Sequence, residues 1–395
     1  MTSTTWPAVG REERVWIPTT AWGARAESDA RRALYDASVP PRISQLTPAP
    51  DPVVLAAADD AARELSRFDA ELGTRVNSFA PVLLRSEAAS SSQIENLTAS
   101  ARAIFSAELG AKTGRNAEQI AANTRSLQAA IGLSEMISTE AILDMHAVLM
   151  TDQPRHSPGE FRQEAVWIGT RSDSPVGAEF IGPWFESVPE LIQDLVVFAL
   201  RPEVPPLVSV AVAHAQFETI HPFTDGNGRT GRAFAQALLR HRGVTRSVAV
   251  PVSAGLLADV DGYHRALTAY RSGDVNPIVQ AFADASLRAV GNSRQLVDEI
   301  DQTRAGWNER LTVRRHSNAW RVLDILTRRP VLDSETISTE LGVQKPNVYP
   351  PMRALVDAGI VKSKAEHQLG PFWRSDEVLA AIDRFAKRAG RREQL

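Results

Sequence analysis

The side chains best suited to chemistry lie in one stretch of twelve residues, HPFTDGNGRTGR at 221–232. It contains one imidazole, one carboxylate, three glycines and two guanidinium groups. A glycine-rich turn that leads into a helix binds anions, because backbone N–H groups and the helix dipole point to the same place. Arg229 and Arg232 share a helix face and can fork onto further phosphate oxygens. The stretch therefore predicts a polyphosphate site.

His221 and Asp225 add a reaction to that site. Asp225 is a hard oxygen ligand suited to Mg²⁺, which is usually held by one or two carboxylates plus phosphate oxygens. His221 can accept a proton from an attacking hydroxyl near neutral pH. Together they predict nucleophilic attack on a nucleotide phosphorus, assisted by positioning and charge neutralisation. The alternatives are a structural turn with surface arginines and a zinc site, which lacks a further His or Cys ligand nearby.

Helices are predicted to position the motif. Residues 206–220 are apolar nearly all round, which indicates a buried helix that delivers His221, and Pro222 cannot continue it. The next helix is expected from about Arg229. Between Glu164 and Pro183 the runs AVWIG and AEFIG predict a hairpin. Apolar spacing predicts further helices near 53–72, 81–95, 116–131, 138–150, 187–200, 260–272 and 276–304, so we expect a mostly all-α fold.

Length and composition bound the class of protein. A chain of 395 residues suggests roughly two to three units of about 150 residues. Its content of 43% hydrophobic and 23% charged residues is typical of globular proteins and argues against fibrous or disordered classes. Without cysteine, disulfides and thiolate nucleophiles are excluded. Since neither a signal-peptide pattern nor an 18-residue apolar run is present, we expect a cytoplasmic protein that does not use a membrane.

Four regions are predicted along the chain. Residues 1–50 are rich in Pro, Ser, Thr and Arg and are expected to form an extended N-terminal arm. Residues 51–110 form an N-terminal helical region, and residues 111–305 form the catalytic domain. From 310 to 395 the order of helix, helix-turn-helix, β-prone stretch and helix predicts a winged-helix module.

The C-terminal module is mildly basic. Residues 315–395 hold 14 Lys and Arg against 10 Asp and Glu, whereas the whole chain has a net charge of −3. This weakly indicates DNA binding, and protein interaction or homodimerisation is the alternative role. Pro350 and Pro351 fall where a reading helix should be regular, so that helix is expected to begin late and be short. The residues that could face phosphates are Lys345, Arg353, Lys362, Lys364 and Arg374.

HPFTDGNGRTGR resembles the signature of the Fic domain family: HPF, any residue, Asp or Glu, GNGR, two residues and Arg. Every fixed position is present. AHAQFETI, GEFRQEAVWIG, FIGP and SSQIENLTAS also look like Fic features, so the resemblance covers roughly residues 30–290. It implies a helical bundle with a β-hairpin flap. Such proteins transfer AMP from ATP to a hydroxyl of a target protein and release pyrophosphate.

The resemblance assigns roles to the motif. It implies that His221 activates a Ser, Thr or Tyr hydroxyl, that Asp225 holds Mg²⁺ and that Arg232 contacts the γ-phosphate. Gly228 stands where the Doc-type phosphotransferases have Lys, which favours nucleotidyl over phosphoryl transfer. Phosphocholine and uridylyl transfer stay open, because the loop reads phosphates and not the base. The residues expected to form the phosphate-binding loop are Phe223, Gly226, Asn227, Gly228, Arg229 and Arg232.

Ser91 to Asn96, SSQIEN, resembles the family's inhibitory motif of Ser or Thr, three residues, Glu, then Gly or Asn. Its position before the catalytic motif is that of the class with an N-terminal inhibitory helix. Glu95 is expected to pair with Arg232 and deny it to the γ-phosphate. The same glutamate could instead position water to remove AMP. An ordinary exposed glutamate near a helix end is the plain alternative.

Three further predictions concern the surroundings of His221. The hairpin resembles the flap that pins an extended target segment by edge pairing, unless it is an ordinary surface hairpin. Tyr263 and Tyr270 are candidates to border the adenine, although aromatic stripes are more often core. His214 is expected to be an interior histidine. The flap residues expected to dock the target are Val166, Trp167, Ile168 and Gly169.

Two functions from different classes remain. The first is an ATP:protein adenylyltransferase, acting mainly in either the forward or the AMP-removing direction. The second is a nucleotide-sensing module that controls the C-terminal module with little catalysis. His221 favours the enzyme, because binding alone does not require a base.

Overall fold

The computed structural model describes residues 6–16, 33–169, 171, 174–366 and 370–390, so parts of the predicted arm, flap tip and wing lie outside it. The described chain is mostly helical, as predicted. Its fifteen α-helices are α1 (Pro52–Leu72), α2 (Val76–Ile94), α3 (Ala101–Glu108), α4 (Arg115–Gly132), α5 (Thr139–Met150), α6 (Val188–Ala199), α7 (Pro206–Ile220), α8 (Asn227–His241), α9 (Val252–Leu257), α10 (Val260–Arg271), α11 (Asn276–Arg310), α12 (Asn318–Arg328), α13 (Ser334–Leu341), α14 (Tyr349–Asp357) and α15 (Asp376–Arg388).

Seven short strands accompany the helices in the described residues. They form two antiparallel hairpins and one three-stranded sheet of order β5-β7-β6. None of the described helices is both long enough and apolar enough to cross a membrane. The strands are β1 (Gly10–Trp16), β2 (Ala33–Val39), β3 (Trp167–Ile168), β4 (Phe180–Ile181), β5 (Val331–Leu332), β6 (Lys362–Glu366) and β7 (Gly370–Arg374).

The chain divides into two compact units, each built from three segments. The first unit comprises Met1–Asp59, Ala129–Arg242 and Asp261–Phe282. The second comprises Asp60–Gln128, Gly243–Val260 and Ala283–Leu395. The four predicted regions therefore do not coincide with these units, and their boundaries stay a prediction.

Helix α7 is the centre of the first unit. Every residue from Leu207 to Ile220 is buried, which confirms the prediction of an interior helix. Helix α8 packs closely against it, because a Cβ atom on Gly231 would lie 2.8 Å from both Phe217 Cδ1 and Glu218 Oε1. Glycine at 231 thus permits the close approach that holds the two helices of the motif together.

Two hairpins pack side by side in the first unit. β1 and β2 pair antiparallel from Gly10↔Val39 to Trp16↔Ala33, inside the region that the sequence predicts to be an arm. The predicted second hairpin is present, with Trp167 opposite Ile181. Tyr35 and Ala37 of β2 are buried against Ile181, and Ser38 Oγ donates to the Ile181 carbonyl at 2.5 Å.

Four helices differ from the prediction. α2 begins at Val76, so Pro81 lies inside it and not in its first turn. Proline in the second turn removes one backbone donor from the helix. α8 begins at Asn227, two residues earlier than expected, with Gly226 as its N-cap. The short helices α3 and α9 were not predicted, because eight and six residues carry too little periodicity.

The second unit contains α2 and the C-terminal module. From α12 the order is helix, β5, α13, a 3₁₀ turn at Lys345–Val348, α14, β6, β7 and α15. Pro350 and Pro351 lie in the first turn of α14, which is nine residues long, as expected for a late and short helix. The winged-helix assignment itself stays a prediction.

The basic residues of this module have acidic neighbours. Lys345 pairs with Glu335 at 2.6 Å. Lys362 and Arg374 both pair with Asp376, at 2.7 and 2.8 Å. These surface pairs reduce the positive potential available to a nucleic acid, so they weaken the argument for DNA binding.

Candidate active site

His221 occupies an uncommon backbone conformation at the end of α7. Its φ of 51° and ψ of 63° are left-handed, and its N–H donates to the Phe217 carbonyl at 2.9 Å. Residues with a Cβ seldom adopt this region, and strained backbone of this kind is often found at active sites. The turn carries the imidazole off the helix axis, where 18% of the side chain is exposed.

The surroundings of the His221 ring indicate its tautomer. Nδ1 lies 3.4 Å from the Glu218 carbonyl and 3.9 Å from Glu218 Oε2. Acceptors on this side favour a proton on Nδ1. That arrangement makes Nε2 the basic nitrogen, as a general base requires.

Phe223 and Asn227 fix the loop that follows His221. The Phe223 N–H donates to Asn227 Oδ1 at 2.8 Å, and Asn227 Nδ2 donates back to the Phe223 carbonyl at 2.8 Å. Phe223 is fully buried and stacks on the His146 ring at 3.7 Å. Phe223 therefore anchors the loop through a buried ring and two hydrogen bonds with the Asn227 amide.

His146 supports the same loop as a neutral imidazole. The Gly159 N–H donates to its Nδ1 at 3.0 Å, so its proton is on Nε2, which lies 3.2 Å from the Asp225 carbonyl. Burial lowers the pKa of His146 to about 4. It therefore acts as a fixed hydrogen-bond donor to the loop at neutral pH.

The N-terminus of α8 forms the predicted anion turn. Gly226 has φ of 75°, and a Cβ atom there would lie 3.1 Å from Leu149 and 3.2 Å from Met150. The first intrahelical bond runs from Thr230 N–H to the Gly226 carbonyl at 2.9 Å. The N–H groups that precede it have no acceptor within the helix and can bind an anion. Gly228 lies in this first helical turn, not in the loop before it.

The charged residues of the motif lie around this turn. Asp225 Oδ1 accepts from the Gly226 N–H at 2.6 Å and lies 3.4 Å from Arg229 Nη2. The Asp225 side chain is 41% exposed, whereas Arg229 and Arg232 are only 4% and 3% exposed. The alternative of a turn with surface arginines is therefore wrong, because both guanidinium groups are held inside.

The hairpin predicted as a flap lies at His221. Arg162 donates through Nε to the His221 carbonyl at 2.8 Å and through Nη2 to the Pro183 carbonyl at 2.6 Å. Among the candidate docking residues, Ile168 and Gly169 are exposed and Val166 and Trp167 are half-buried. The Trp167 indole N–H donates to the Arg171 carbonyl at 2.7 Å. This location favours a flap over an unrelated surface hairpin.

The tyrosines proposed to border the adenine lie in the core. Tyr263 Oη is 2.7 Å from His214 Nε2, and Tyr270 donates to Gln216 Oε1 at 2.8 Å. Both rings are almost completely buried, as is His214. Their hydroxyls are bonded to α7, so the structure does not support an adenine contact and favours the core interpretation.

The predicted inhibitory motif is at the end of α2. Ser91 is buried, whereas Glu95 and Asn96 are exposed. Asn96 has φ of 60°, its N–H donates to Gln93, and the Leu97 N–H donates to Ser92. This pattern is a Schellman helix end, which needs a left-handed residue such as Gly or Asn. Glu95 and Arg232 belong to different units, and their pairing stays a prediction.

Comparison with known proteins identifies the region that surrounds this loop. A sequence model of the Fic/DOC family matches residues 136–239, which include α5, both flap strands, α7 and the motif. The chain contains a Fic domain. The β1–β2 hairpin lies outside the matched residues and packs against Ile181 of the β3–β4 hairpin.

Relatives of the Fic domain carry names that state an activity. Protein adenylyltransferase fic-1 from Caenorhabditis elegans is 27% identical over 168 residues, 42% of this chain and 31% of that protein. Protein adenylyltransferase Fic from Drosophila erecta is 28% identical over 182 residues, 44% of this chain and 34% of that protein. The chain thus spans about a third of the length of these relatives.

A solved structure shares the Fic fold. The crystal structure of a Fic family protein from Desulfovibrio desulfuricans G20 has a TM-score of 0.53 and 20% identity, and it covers 84% of this chain and 98% of that one. At that identity the likeness concerns the fold.

Four residues of the site were not assigned roles from sequence. Arg162 lies in the quoted GEFR stretch and Glu218 in AHAQFETI, but neither spacing indicates a partner. His146 lies within a predicted helix, 75 residues before His221, so only the folded chain brings it to Phe223. Gly231 lies inside the motif. The apolar helix that precedes the motif could have indicated that a glycine here permits close packing of two helices.

Proposed function

We propose that this protein transfers AMP from ATP to a hydroxyl group of a target protein. The observation that carries the proposal is the loop from His221 to Arg232. It places a basic imidazole nitrogen beside a helix N-terminus and two buried guanidinium groups. The names of the relatives support the same reaction.

His221 acts as the general base in this reaction. The target hydroxyl oxygen attacks the α-phosphorus of ATP while its proton passes to His221 Nε2. The bond between the α-phosphorus and the α,β-bridging oxygen breaks, and pyrophosphate leaves with the bonding electrons. The left-handed turn at His221 fixes the ring against α7, so the base needs little reorganisation.

The N-terminus of α8 holds the phosphates. Its N–H groups and the dipole of a 15-residue helix stabilise negative charge. Arg229 and Arg232 add guanidinium donors on the same helix, and Arg232 is assigned to the γ-phosphate. Because the phosphate ligands come from rigid elements, the α-phosphorus is held in one place relative to His221.

Asp225 fits a magnesium ion that is shared with the nucleotide. Its carboxylate is 41% exposed, and Oδ2 lies 3.8 Å from His156 Nε2. Within the described residues, no group of three His, Cys, Asp or Glu side chains could hold a metal ion. One carboxylate with phosphate oxygens is the arrangement that Mg²⁺ uses, and the ion would neutralise charge on the leaving pyrophosphate.

The flap docks the target, and Glu95 restrains the enzyme. An extended target segment pairs with the flap at Val166, Trp167, Ile168 and Gly169, of which Ile168 and Gly169 are exposed. Glu95, with Ser91 and Asn96 at the end of α2, withholds Arg232 from the γ-phosphate.

Parallel incubations with α-labelled and γ-labelled ATP test the proposal. We expect the α label on protein and the γ label in released pyrophosphate, with both lost in His221→Ala. Transfer of the γ label alone would identify a kinase. Nucleotide binding without transfer of either label, in Glu95→Gly as well as in the unmodified protein, would identify a sensor.

A further inference from the structure

Arg162 is a buried arginine whose hydrogen bonds all reach backbone carbonyls. On the side of the catalytic loop, Nε donates to His221 O at 2.8 Å and Nη2 lies 3.4 Å from Ile220 O. The Arg162 backbone N–H donates to Pro222 O at 3.0 Å. Three consecutive carbonyls around His221 are therefore held by one residue.

The same guanidinium group holds both ends of the flap. Nη1 donates to Glu164 O at 2.8 Å, just before β3, and Nη2 donates to Pro183 O at 2.6 Å, just after β4. Arg162 is only 3% exposed. It therefore joins the flap to the catalytic loop.

The charge of Arg162 makes the connection between the flap and the catalytic loop rigid. Burial lowers its pKa to about 10, so it remains protonated at neutral pH. A buried charge is costly unless its donors are all bonded, and here the carbonyls supply that compensation. Moving either segment would leave a charged donor without an acceptor.

The shape of the flap reinforces this interpretation. A Cβ atom on Gly182 would lie 3.0 Å from Arg162 Nη2 and 3.2 Å from Val166 Cγ2. The flap thus approaches the guanidinium group so closely that even a methyl group would displace it.

The geometry points to Arg162 as a positioning residue that sets the distance from the flap to the His221 base. A target segment paired with β3 is then presented at a fixed position to Nε2. This inference rests on the proposed function and deepens it. Lysine cannot replace arginine here, because a single ammonium group cannot reach carbonyls on both segments in the fixed fork geometry.

Arg162→Lys tests the inference, with Arg242→Lys as the matched control. Arg242 also binds carbonyls, those of Arg201, Pro202 and Val204, but these belong to a loop outside the site. The readout is the rate of automodification by α-labelled ATP as a function of ATP concentration. We expect Arg162→Lys to lower the maximal rate on the order of 100-fold with an unchanged half-saturating ATP concentration, since small displacements of reacting groups cost this much.

A second readout does not depend on transfer. Amide hydrogen exchange should accelerate at the flap in Arg162→Lys, at Glu179 and Gly182, whose N–H groups donate to Ile168 and Val166. It should stay unchanged there in Arg242→Lys. If Arg162→Lys does not fold, Gly182→Ala disturbs the same contact from the flap side and should show the same rate loss.

The outcomes separate the two claims. Absence of α label on both the parent protein and Glu95→Gly overturns the proposed function. The positioning role is overturned if Arg162→Lys is labelled at the same maximal rate as the parent protein. It is also overturned if Arg242→Lys loses as much of that rate as Arg162→Lys. In both cases the proposed function stands.

Discussion

His221 depends on its neighbours at the scale of single residues. A left-handed backbone conformation, a Glu218 carbonyl at Nδ1 and an Arg162 bond to its own carbonyl together determine where the imidazole points. All three features involve the backbone, either its conformation or its carbonyl groups. A substitution that shifts the backbone here is therefore expected to reduce catalysis before it reduces binding of the nucleotide.

His214 should make stability depend on pH. Burial, followed by the charge of Arg232, lowers its folded pKa to about 3, well below the usual value near 6.5. The unfolded state then binds more protons between these values, so stability is lost as pH falls below about 6.5. Between pH 7 and pH 5, the free energy of unfolding should fall by about 2 kcal/mol because of this histidine. In urea unfolding, the stability of His214→Gln should depend less steeply on pH than the stability of the unmodified protein. An equal pH dependence in the two proteins would contradict a low pKa for His214.

Glu95→Gly should increase automodification by labelled ATP, because Arg232 becomes available to the γ-phosphate. Asn96→Gly is the matched control, since glycine keeps the left-handed helix end without removing the carboxylate. Equal labelling of Glu95→Gly and the unmodified protein across ATP concentrations would exclude inhibition by this residue.

At the scale of elements, the contact between α7 and α8 is set by glycine. Gly231→Ala brings a methyl group within 2.8 Å of Phe217 and Glu218, and overpacking of this kind costs about 1–3 kcal/mol. Gly291→Ala is the control, because it lies in α11 with open space around it and should stabilise by about 0.5–1 kcal/mol. Thermal unfolding should show opposite shifts, and a neutral Gly231→Ala would disprove the close packing.

Some elements could be predicted from sequence and others could not. Helix α7 was predicted to within one residue, because an apolar run between prolines leaves few alternatives. The β1–β2 hairpin was missed, since its outer face is charged and its buried residues, such as Tyr35, pack on the distant flap. Arg162 was missed because its carbonyl acceptors leave no mark on the pattern of side chains. The motif itself was predictable, since its residue types are rarely combined for structure alone.

At the scale of the whole molecule, the C-terminal residues complete the second unit. Residues 283–395 share it with 60–128, and Asp383 of α15 accepts a hydrogen bond from the Ala101 N–H at 3.2 Å. The C-terminal module is therefore in contact with the N-terminal helical region, and its assignment as a separate domain from residue 310 stays a prediction.

Phe385→Ala should test this integration. Phe385 is buried in α15, and removal of a buried phenylalanine costs about 3–5 kcal/mol. Val356→Ala in α14 is the control, because that side chain is 38% exposed and should cost little. Hydrogen exchange should accelerate in α2 of Phe385→Ala. Acceleration confined to residues after 310 would show that the module folds independently.

The central claim is that His221 catalyses transfer of AMP to protein. Its most direct test is intact-protein mass spectrometry of Glu95→Gly after incubation with ATP and Mg²⁺, beside the double variant Glu95→Gly, His221→Ala. We expect an added adenylyl group on the first protein and none on the second. An added phosphoryl group, or an adenylyl group that persists without His221, would contradict it.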